Sequence, residues 1–295
     1  MNFLLQLVIN GLVVGSIYAL VALGFVIIYK SSSILNFAQG EFLMIGAYVC
    51  LAAMISGHVP FWAAFLLTLA FSVVLGLALE RIVLRPMIGE PVISVIMLTL
   101  GLSAVLRAII QAIWGTDTIP FPAVFPPEPI HLGPFPISQG YMWSVACVTV
   151  LLAGFALFFK YARAGVAMRA VAFSQQTALS MGISVKRIFA MSWSIAAVVS
   201  AVGGILLGTI RGGVDVSLTM FGLKVVPVVI LGGLDSVVGA IVGGLTIGVL
   251  ENLSGGYLDP VFGGGVKEVA PFVALVLILM VKPYGLFGKV KIERV

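Results

Sequence analysis

Long runs of apolar residues follow one another along the chain, separated by short polar stretches. A helix that crosses a bilayer needs about 20 predominantly apolar residues, with about 17 as the lower limit. Two runs, 41–57 and 219–233, are short and interrupted by glycine, which is typical of broken or re-entrant helices. The pattern predicts an all-α, polytopic integral membrane protein of eight to ten transmembrane helices. Nine are favoured, at residues 3–29, 41–57, 60–79, 92–114, 141–159, 189–210, 219–233, 237–253 and 269–286.

The composition of the 295 residues supports a membrane protein. Hydrophobic residues make up 61% and charged residues 9% of the chain, and the mean hydropathy is +1.21. Soluble domains carry about 25% charged residues, so these values exclude a soluble enzyme, a nucleic-acid-binding domain and a disordered chain. Cys50 and Cys147 fall within apolar runs, which predicts buried free thiols rather than a disulfide. The first apolar run is too long for a signal peptide and predicts a retained first helix.

The basic residues predict the orientation, because cytoplasmic loops carry an excess of lysine and arginine. Nine helices with the N-terminus outside and the C-terminus cytoplasmic place 12 of the 16 basic residues on the cytoplasmic side. These 12 are Lys30, Arg81, Arg85, Lys160, Arg163, Arg169, Lys186, Arg187, Lys282, Lys289, Lys291 and Arg294. The external loop at 115–140 contains no basic residue and seven prolines, which predict an extended segment. It is either a spacer or a docking lip for an external partner.

Side chains suited to catalysis are sparse. The two histidines, His58 and His131, fall in different predicted loops, and no phosphate-binding loop with Lys-Ser or Lys-Thr occurs. We therefore expect no metal site, no bound cofactor and no enzymatic activity in this chain. If transport is driven by ATP, another polypeptide has to hydrolyse it.

Few charges fall deep within the predicted helices. Glu41, Glu80 and Asp235 map to cytoplasmic helix ends, and Glu251 maps near an outer end. A charge at the bilayer centre costs about 2.5–3.5 kcal/mol on insertion scales, so this pattern disfavours an ion-driven carrier. Arg107, about two turns from the end of its run, either extends to the outer interface or lines a polar cavity.

The stretch from Ile34 to Phe42 places polar and small residues between two apolar runs. Irregular backbone at membrane depth is tolerated only where it is buried in protein or lines a water-filled cavity. Asn36, Gln39 and Glu41 are therefore candidates for a substrate path. The alternative is an ordinary cytoplasmic turn in which Glu41 caps the next helix.

A second informative stretch lies in the basic loop at about 160–188. Its spacing predicts a helix from about Arg163 that ends in a left-handed cap at Gly182. Such a helix either lies on the membrane surface or docks into the groove of a partner. Its candidate apolar contacts are Ala170, Phe173, Leu179 and Met181, with basic residues nearby.

The third stretch, 230–244, is rich in glycine. Glycines let helices approach closely in lipid, where packing contributes much of the association energy. Gly232, Gly233, Gly239 and Gly243 therefore act either in plain helix packing or in a broken-helix gate.

Taken together and in this order, the three stretches resemble the permease subunits of branched-chain amino acid importers of the ATP-binding-cassette class. The resemblance runs from Asn10 to Gly288, and the chain is similar to the shorter of the two permease types of this family. It implies one permease domain over 1–295, in a bacterial inner membrane, with residues 164–183 as the helix that couples to the ATPase. The coupling residues that it implies are Arg169, Ala170, Phe173, Gln176, Ala178, Leu179, Gly182 and Ile183. It also implies a second homologous permease, two cytoplasmic ATPase subunits that hold ATP and Mg²⁺, and a periplasmic solute-binding protein.

The sequence departs from the family pattern at one place, and one other function competes with the importer. Ser174, Gln175 and Gln176 are neutral where relatives often carry acidic residues, which leaves the polar contacts with the ATPase open. The chain is interpreted as half of an importer path for branched-chain or other small hydrophobic amino acids. The alternative is a passive channel for a small polar solute such as urea or an amide, which needs no ATPase.

Overall fold

The structure, a computed structural model, describes residues 2–126, 128–132 and 135–288. The predicted cytoplasmic residues Lys289, Lys291 and Arg294 lie outside these ranges, as do Pro127 and Pro134 of the proline-rich loop. The helices are α1 (Asn2–Ser32), α2 (Gln39–Ile55), α3 (Phe61–Leu79), α4 (Val92–Trp114), α5 (Gln139–Tyr161), α6 (Arg163–Phe173), α7 (Gln175–Ser180), α8 (Val185–Arg211), α9 (Thr219–Gly232), α10 (Val237–Tyr257), α11 (Asp259–Phe262) and α12 (Val266–Val281).

Helices of the described residues overlap all nine predicted runs, although the helix in the last run, 269–286, ends at Val281. Six of them, α1, α3, α4, α5, α8 and α10, are long and apolar enough to cross a membrane. The two runs predicted to be short form α2, with 17 residues, and α9, with 14, and the last run forms α12, with 16. The chain is therefore a multi-pass helical membrane protein, as the hydropathy pattern predicts.

The centre of the bundle is formed by α1, α2 and α8. In the most apolar stretch of α1, 89% of the residues are buried inside the protein, against 17% in α5. The rings of Phe42 in α2 and Trp193 in α8 meet edge to face, with centroids 5.8 Å apart. Because α3, α4 and α5 expose most of their apolar surface, they form the periphery, which faces lipid or other subunits.

Glycine allows α1 and α10 to pack backbone against backbone. A Cβ atom added at Gly248 in α10 would overlap the backbone of Gly11 and Gly15 in α1, and one at Gly244 would overlap Ala19. Such close approach is the usual role of small residues spaced four apart in membrane helices.

The two ends of the bundle differ in chemistry. At one end, called the basic end here, α1 and α5 stop and α6, α7 and the start of α8 are placed. At the other, called the proline-rich end, strand β1 (Ile119–Pro120) pairs antiparallel with β4 (Gly213–Val214), directly after α8. A second antiparallel pair joins β2 (Ile130–Leu132) to β3 (Phe135–Ile137). The described part of this loop is extended, as its prolines predict.

Candidate functional site

The backbone between α1 and α2, residues 33–38, is called the break here. Ser33 has a positive φ of 59°, which ends the helical path of α1. The Asn36 side chain then accepts a hydrogen bond from the Ala38 amide at 3.0 Å, which is a local turn that competes with helix. The Phe37 amide donates to Thr99 Oγ1 in α4 at 3.4 Å. Thr99 lies seven residues, or about 10 Å, inside α4, so the break enters the bundle.

Asn36 and Gln39 are fully buried and bond to each other and to α8. Asn36 Nδ2 donates to Gln39 Oε1 at 3.2 Å. Gln39 Nε2 donates to Ser200 Oγ at 2.6 Å and to the Ala196 carbonyl at 3.3 Å. Because buried amides are costly unless they are hydrogen-bonded, this network fixes the start of α2 against the middle of α8. A role of Asn36 and Gln39 in a substrate path stays a prediction.

Glu41 forms an ion pair inside the bundle. Its Oε1 accepts a hydrogen bond from Nη2 of Arg107 in α4 at 2.7 Å. Arg107 lies about 22 Å from the start of α4 and about 10 Å from its end. Glu41 does lie at a helix end, in the first turn of α2, but this end is buried within the bundle. Neither of the two alternatives for Arg107, extension to the outer interface or lining of a polar cavity, included an ion pair with Glu41.

A second buried charge cluster joins four helices near the proline-rich end. Glu251 in α10 accepts hydrogen bonds from the Tyr18 hydroxyl at 2.6 Å and from Lys224 Nζ at 2.8 Å. Lys224 in α9 also lies 2.9 Å from Glu268 Oε2 in α12. This cluster was not predicted, although a lysine and a glutamate inside two neighbouring apolar runs were a usable signal.

The loop at 160–188 contains two helices rather than the single helix predicted over 164–183. Ser174 is extended, with φ −158° and ψ 115°, and separates α6 from α7. Its hydroxyl accepts a hydrogen bond from the Thr177 amide at 3.2 Å and so caps α7. The prediction failed because serine at this position ends one helix and begins the next.

The predicted cap at Gly182 is confirmed. Gly182 has a φ of +78°, its amide bonds to the Leu179 carbonyl, and the Ile183 amide bonds to the Ala178 carbonyl at 2.9 Å. This pair of bonds is the Schellman motif. No atom in the described residues lies within 4 Å of a Cβ added at Gly182, so a substitution there acts through backbone strain rather than crowding.

The helices α6 and α7 present apolar side chains to the outside. Phe173, Leu179 and Met181, called the apolar loop face here, are exposed, Phe173 by 91%. Arg169 donates to the Phe159 carbonyl of α5, which ties α6 to the bundle. The other candidates divide by burial. Ala178 is buried, Ala170 and Ile183 are half-buried, and Gln176 and Gly182 are exposed.

A cavity of about 300 Å³ lies between α7 and the break. Gln175 of α7 lines it on one side, and Ser33 and Ile34 line it on the other. Trp193 of α8 and Val95 of α4 complete part of its wall. The first helical residue after Ser174 thus shares a space with the segment that precedes the buried network.

The glycines of the third stretch pack helices closely. Gly232 and Gly239 contact so tightly that a Cβ at either would overlap the other residue, and Gly243 lies against the Val228 carbonyl. Gly233, with a φ of +106°, contacts Gly288. The geometry fits the packing alternative, and a gating role stays a prediction. In the described residues, no three His, Cys, Asp or Glu side chains form a group that could hold a metal ion.

Comparison with known proteins identifies the family that this chain resembles. A family model described as "Branched-chain amino acid transport system / permease component" matches residues 7–282. The high-affinity branched-chain amino acid transport system permease protein LivH of Escherichia coli K12 is 33% identical, over 99% of this chain and 98% of that protein. BraD of Pseudomonas aeruginosa, which carries the same description, is 31% identical over 99% and 98%. A probable LivH of Methanocaldococcus jannaschii is 27% identical over 96% and 92%.

The alignments cover nearly the whole of both chains, so they include the break, the loop helices and the glycine-rich stretch alike. The chain therefore belongs to the family of permease components of branched-chain amino acid transport systems.

Proposed function

We propose that this chain is the shorter permease subunit of an ATP-binding-cassette importer and forms half of its translocation path. The observation that supports this role best is the apolar loop face on α6 and α7. An exposed Phe173, Leu179 and Met181 beside basic residues form a surface suited to a groove on another protein. Two cytoplasmic ATPase subunits, which bind ATP and Mg²⁺, fit that role, together with a second homologous permease and a periplasmic solute-binding protein.

The transport step follows from the position of α7. Closure of the ATPase dimer on ATP pulls on α6 and α7 as one docked unit. Because Gln175 borders the same cavity as Ser33 and Ile34, this movement reaches the break and the buried network behind it. The break, together with Asn36, Gln39 and Glu41, then changes its position relative to α4 and α8. Access to the path alternates between the two ends of the bundle.

The same arrangement supports an orientation and a location for the chain. The basic end faces the cytoplasm of a bacterial cell with an inner membrane, because lysine and arginine are retained on that side. The N-terminus then lies outside, the C-terminus lies inside, and the proline-rich end meets the solute-binding protein. The whole of 1–295 acts as one permease domain, with its coupling loop at 160–188 and its external loop at 115–140.

The cargo is a branched-chain or other small hydrophobic amino acid, by analogy with the transport systems named for the relatives. A passive channel for urea or an amide is the competing function. The two functions differ in whether an ATPase is required. A channel needs no ATPase and therefore no apolar loop face.

The test is purification of the tagged chain from its native membrane in mild detergent, with chemical crosslinking and identification of every co-eluting polypeptide. We expect two ATPase copies and a second permease. Phe173→Asp should release the ATPases while the permease pair stays intact. The matched control is Phe262→Asp, since Phe262 is also strongly exposed but lies at the proline-rich end.

Three results would contradict the proposal: a crosslinked chain without ATPases, equal retention of ATPases by both variants, or solute conduction that survives removal of α6 and α7. The last of these would establish the channel.

A further inference from the structure

Arg107 belongs to a row of polar side chains along α4. Ser103, Arg107 and Gln111 are spaced four residues apart, so they lie on one helix face, and all three are half-buried. Nearby Val105 and Ile109 are exposed, as expected of a peripheral membrane helix. The polar row therefore forms the boundary between the face of α4 that packs on α2 and the face that leaves the bundle.

The two members of the ion pair differ in exposure. The Glu41 side chain is 2% exposed, whereas the Arg107 side chain is 35% exposed. A guanidinium this far from both helix ends is costly in hydrocarbon. The exposed part of Arg107 therefore faces a polar environment, such as water and solute in a path between two permease subunits.

The ion pair does not use all the donors of Arg107. Nη2 is bonded to Glu41, but within the described residues Nε is buried and has no hydrogen-bond partner. The buried Tyr48 hydroxyl also has no partner there. Tyr48 follows Glu41 by two helical turns, and its ring lies 5.4 Å from that of Trp114, which follows Arg107 by the same interval. Unused buried donors are uncommon in proteins, and a bound water, ion or ligand is one of the ways in which they are satisfied.

We propose that Glu41 and Arg107 bind the two charged ends of an α-amino acid during translocation. Arg107 binds the α-carboxylate through its planar, multidentate guanidinium, and Glu41 accepts a hydrogen bond from the α-ammonium. Glu41 lies in the first turn of α2, where the helix dipole favours its negative charge. This inference rests on the proposed function and gives the cargo class a structural basis.

The charges of site and ligand are complementary. The ion pair has no net charge, and neither has a zwitterion, so occupation leaves the total charge in the membrane unchanged. Glu41 is already desolvated and Arg107 is partly so, and a ligand has to compete with the ion pair itself, which keeps binding weak enough for release. Urea and simple amides lack both charges, so they form only hydrogen bonds with this pair and gain no ion pairing. The site therefore favours amino acids over the cargo of the competing channel.

The break lies between this site and the basic end. Thr99, which accepts the Phe37 amide, precedes Arg107 by eight residues, or about 12 Å, along α4. Beyond it lies the cavity beside α7, lined by Val92 and Val95. Displacement of the break joins the site to that cavity, which gives the amino acid an exit toward the ATPase side.

The experiment uses the complete importer in proteoliposomes, with uptake of radiolabelled L-leucine and ATP hydrolysis stimulated by the solute-binding protein as separate readouts. Glu41→Gln and Arg107→Gln should each lower uptake at least about tenfold while stimulated hydrolysis stays within about twofold. Arg85→Gln is the matched control, because the Arg85 side chain is also 35% exposed and pairs with a buried carboxylate, that of Glu80, at 2.8 Å. It should retain both activities.

A charge swap, Glu41→Arg with Arg107→Glu, separates a transport site from a structural ion pair. The swap restores attraction between α2 and α4, so it should recover assembly but not uptake. Uptake within about twofold of the wild type in the swap or in both single variants would overturn the proposal. A wild-type complex that shows no ATP-driven uptake of any solute contradicts the proposed function instead.

Unmodified protein supplies a readout that does not depend on variants folding. Phenylglyoxal reacts with accessible arginines, and mass spectrometry reports its addition at Arg107 and Arg211. Millimolar L-leucine should slow modification of Arg107 at least about threefold, whereas urea should not, and Arg211 should be unaffected. Equal rates at Arg107 with and without L-leucine would overturn the proposal even if no variant assembles.

Discussion

Two regions of the molecule place their side chains in opposite environments. One is the buried network of Asn36 and Gln39, and the other is the apolar loop face of Phe173, Leu179 and Met181. In the network, two amides are buried and their polar groups are satisfied within the chain. In the loop face, large apolar groups remain exposed. The first arrangement fixes a helix start in one place, and the second leaves binding energy for another protein. The side chains at the start of α2 thus find their partners within the chain, whereas those around α7 leave apolar surface for another protein.

Gln39→Ala should have the largest effect. It removes the hydrogen-bond partner of Asn36 Nδ2 and of Ser200 Oγ and opens a cavity in the centre of the bundle, at a cost of about 2–4 kcal/mol. We expect little folded protein or a strongly lowered Tm in detergent. Gln176→Ala, on the exposed side of α7, is the control and should leave the Tm unchanged. Equal Tm values for both variants would contradict the claim that the buried network stabilises the fold more than the exposed side of α7 does.

Gly182→Ala should separate stability from partner binding. A φ of +78° costs an alanine about 1–2 kcal/mol, so the end of α7 changes conformation. Gly212→Ala introduces the same strain at the end of α8, where φ is +70° and no atom lies near an added Cβ in the described residues. Both variants should lose similar thermal stability, measured as Tm, but only Gly182→Ala should lose ATPases on purification. Loss of ATPases from both would assign the effect to general instability.

Ser174→Ala should have a smaller effect of the same kind. It removes the hydroxyl that caps α7, at about 1 kcal/mol, and frees α6 and α7 to move apart. Ser236→Ala removes the corresponding cap of α10, whose hydroxyl accepts the Gly239 amide at 2.9 Å. A pull-down of the ATPase should be weaker for Ser174→Ala alone. If the two variants bind equally, the cap does not organise the apolar loop face.

Asp215→Asn, in a region that belongs to neither arrangement, should have the smallest effect. Although partial burial opposes it, hydrogen bonds from Ser217 and the nearby Arg211 guanidinium lower the pKa of Asp215. A lowered pKa in the folded state contributes stability above about pH 4 and loses it as the pH falls through the folded value. The difference in Tm between variant and wild type should therefore be small, reflecting about 0.5 kcal/mol, and constant from pH 5 to 8. A difference that grows with rising pH in that window would contradict the assignment.

Hydropathy was sufficient to predict where the apolar helices lie, six of them long enough to cross a membrane, because a bilayer imposes length and composition on every crossing helix. It also identified Asn36, Gln39 and Glu41 as unusual. Their partners were not predictable, since Ser200 lies 161 residues from Gln39 and Arg107 lies 66 from Glu41. The cap at Gly182 was predictable because the Schellman motif is local. The interruption at Ser174 had a local signal as well, a serine three residues before Thr177, and was missed.

The continuity of α8 has a mechanical consequence. This helix runs unbroken for 27 residues, or about 40 Å, from the turn after α7 to the strand that pairs with β1. It behaves as a stiff rod whose two ends are attached to opposite sides of the membrane. If movement of α7 tilts the start of α8, the end of α8 and the proline-rich loop beside it move as well. In the opposite direction, a protein that displaces the proline-rich loop also displaces α7.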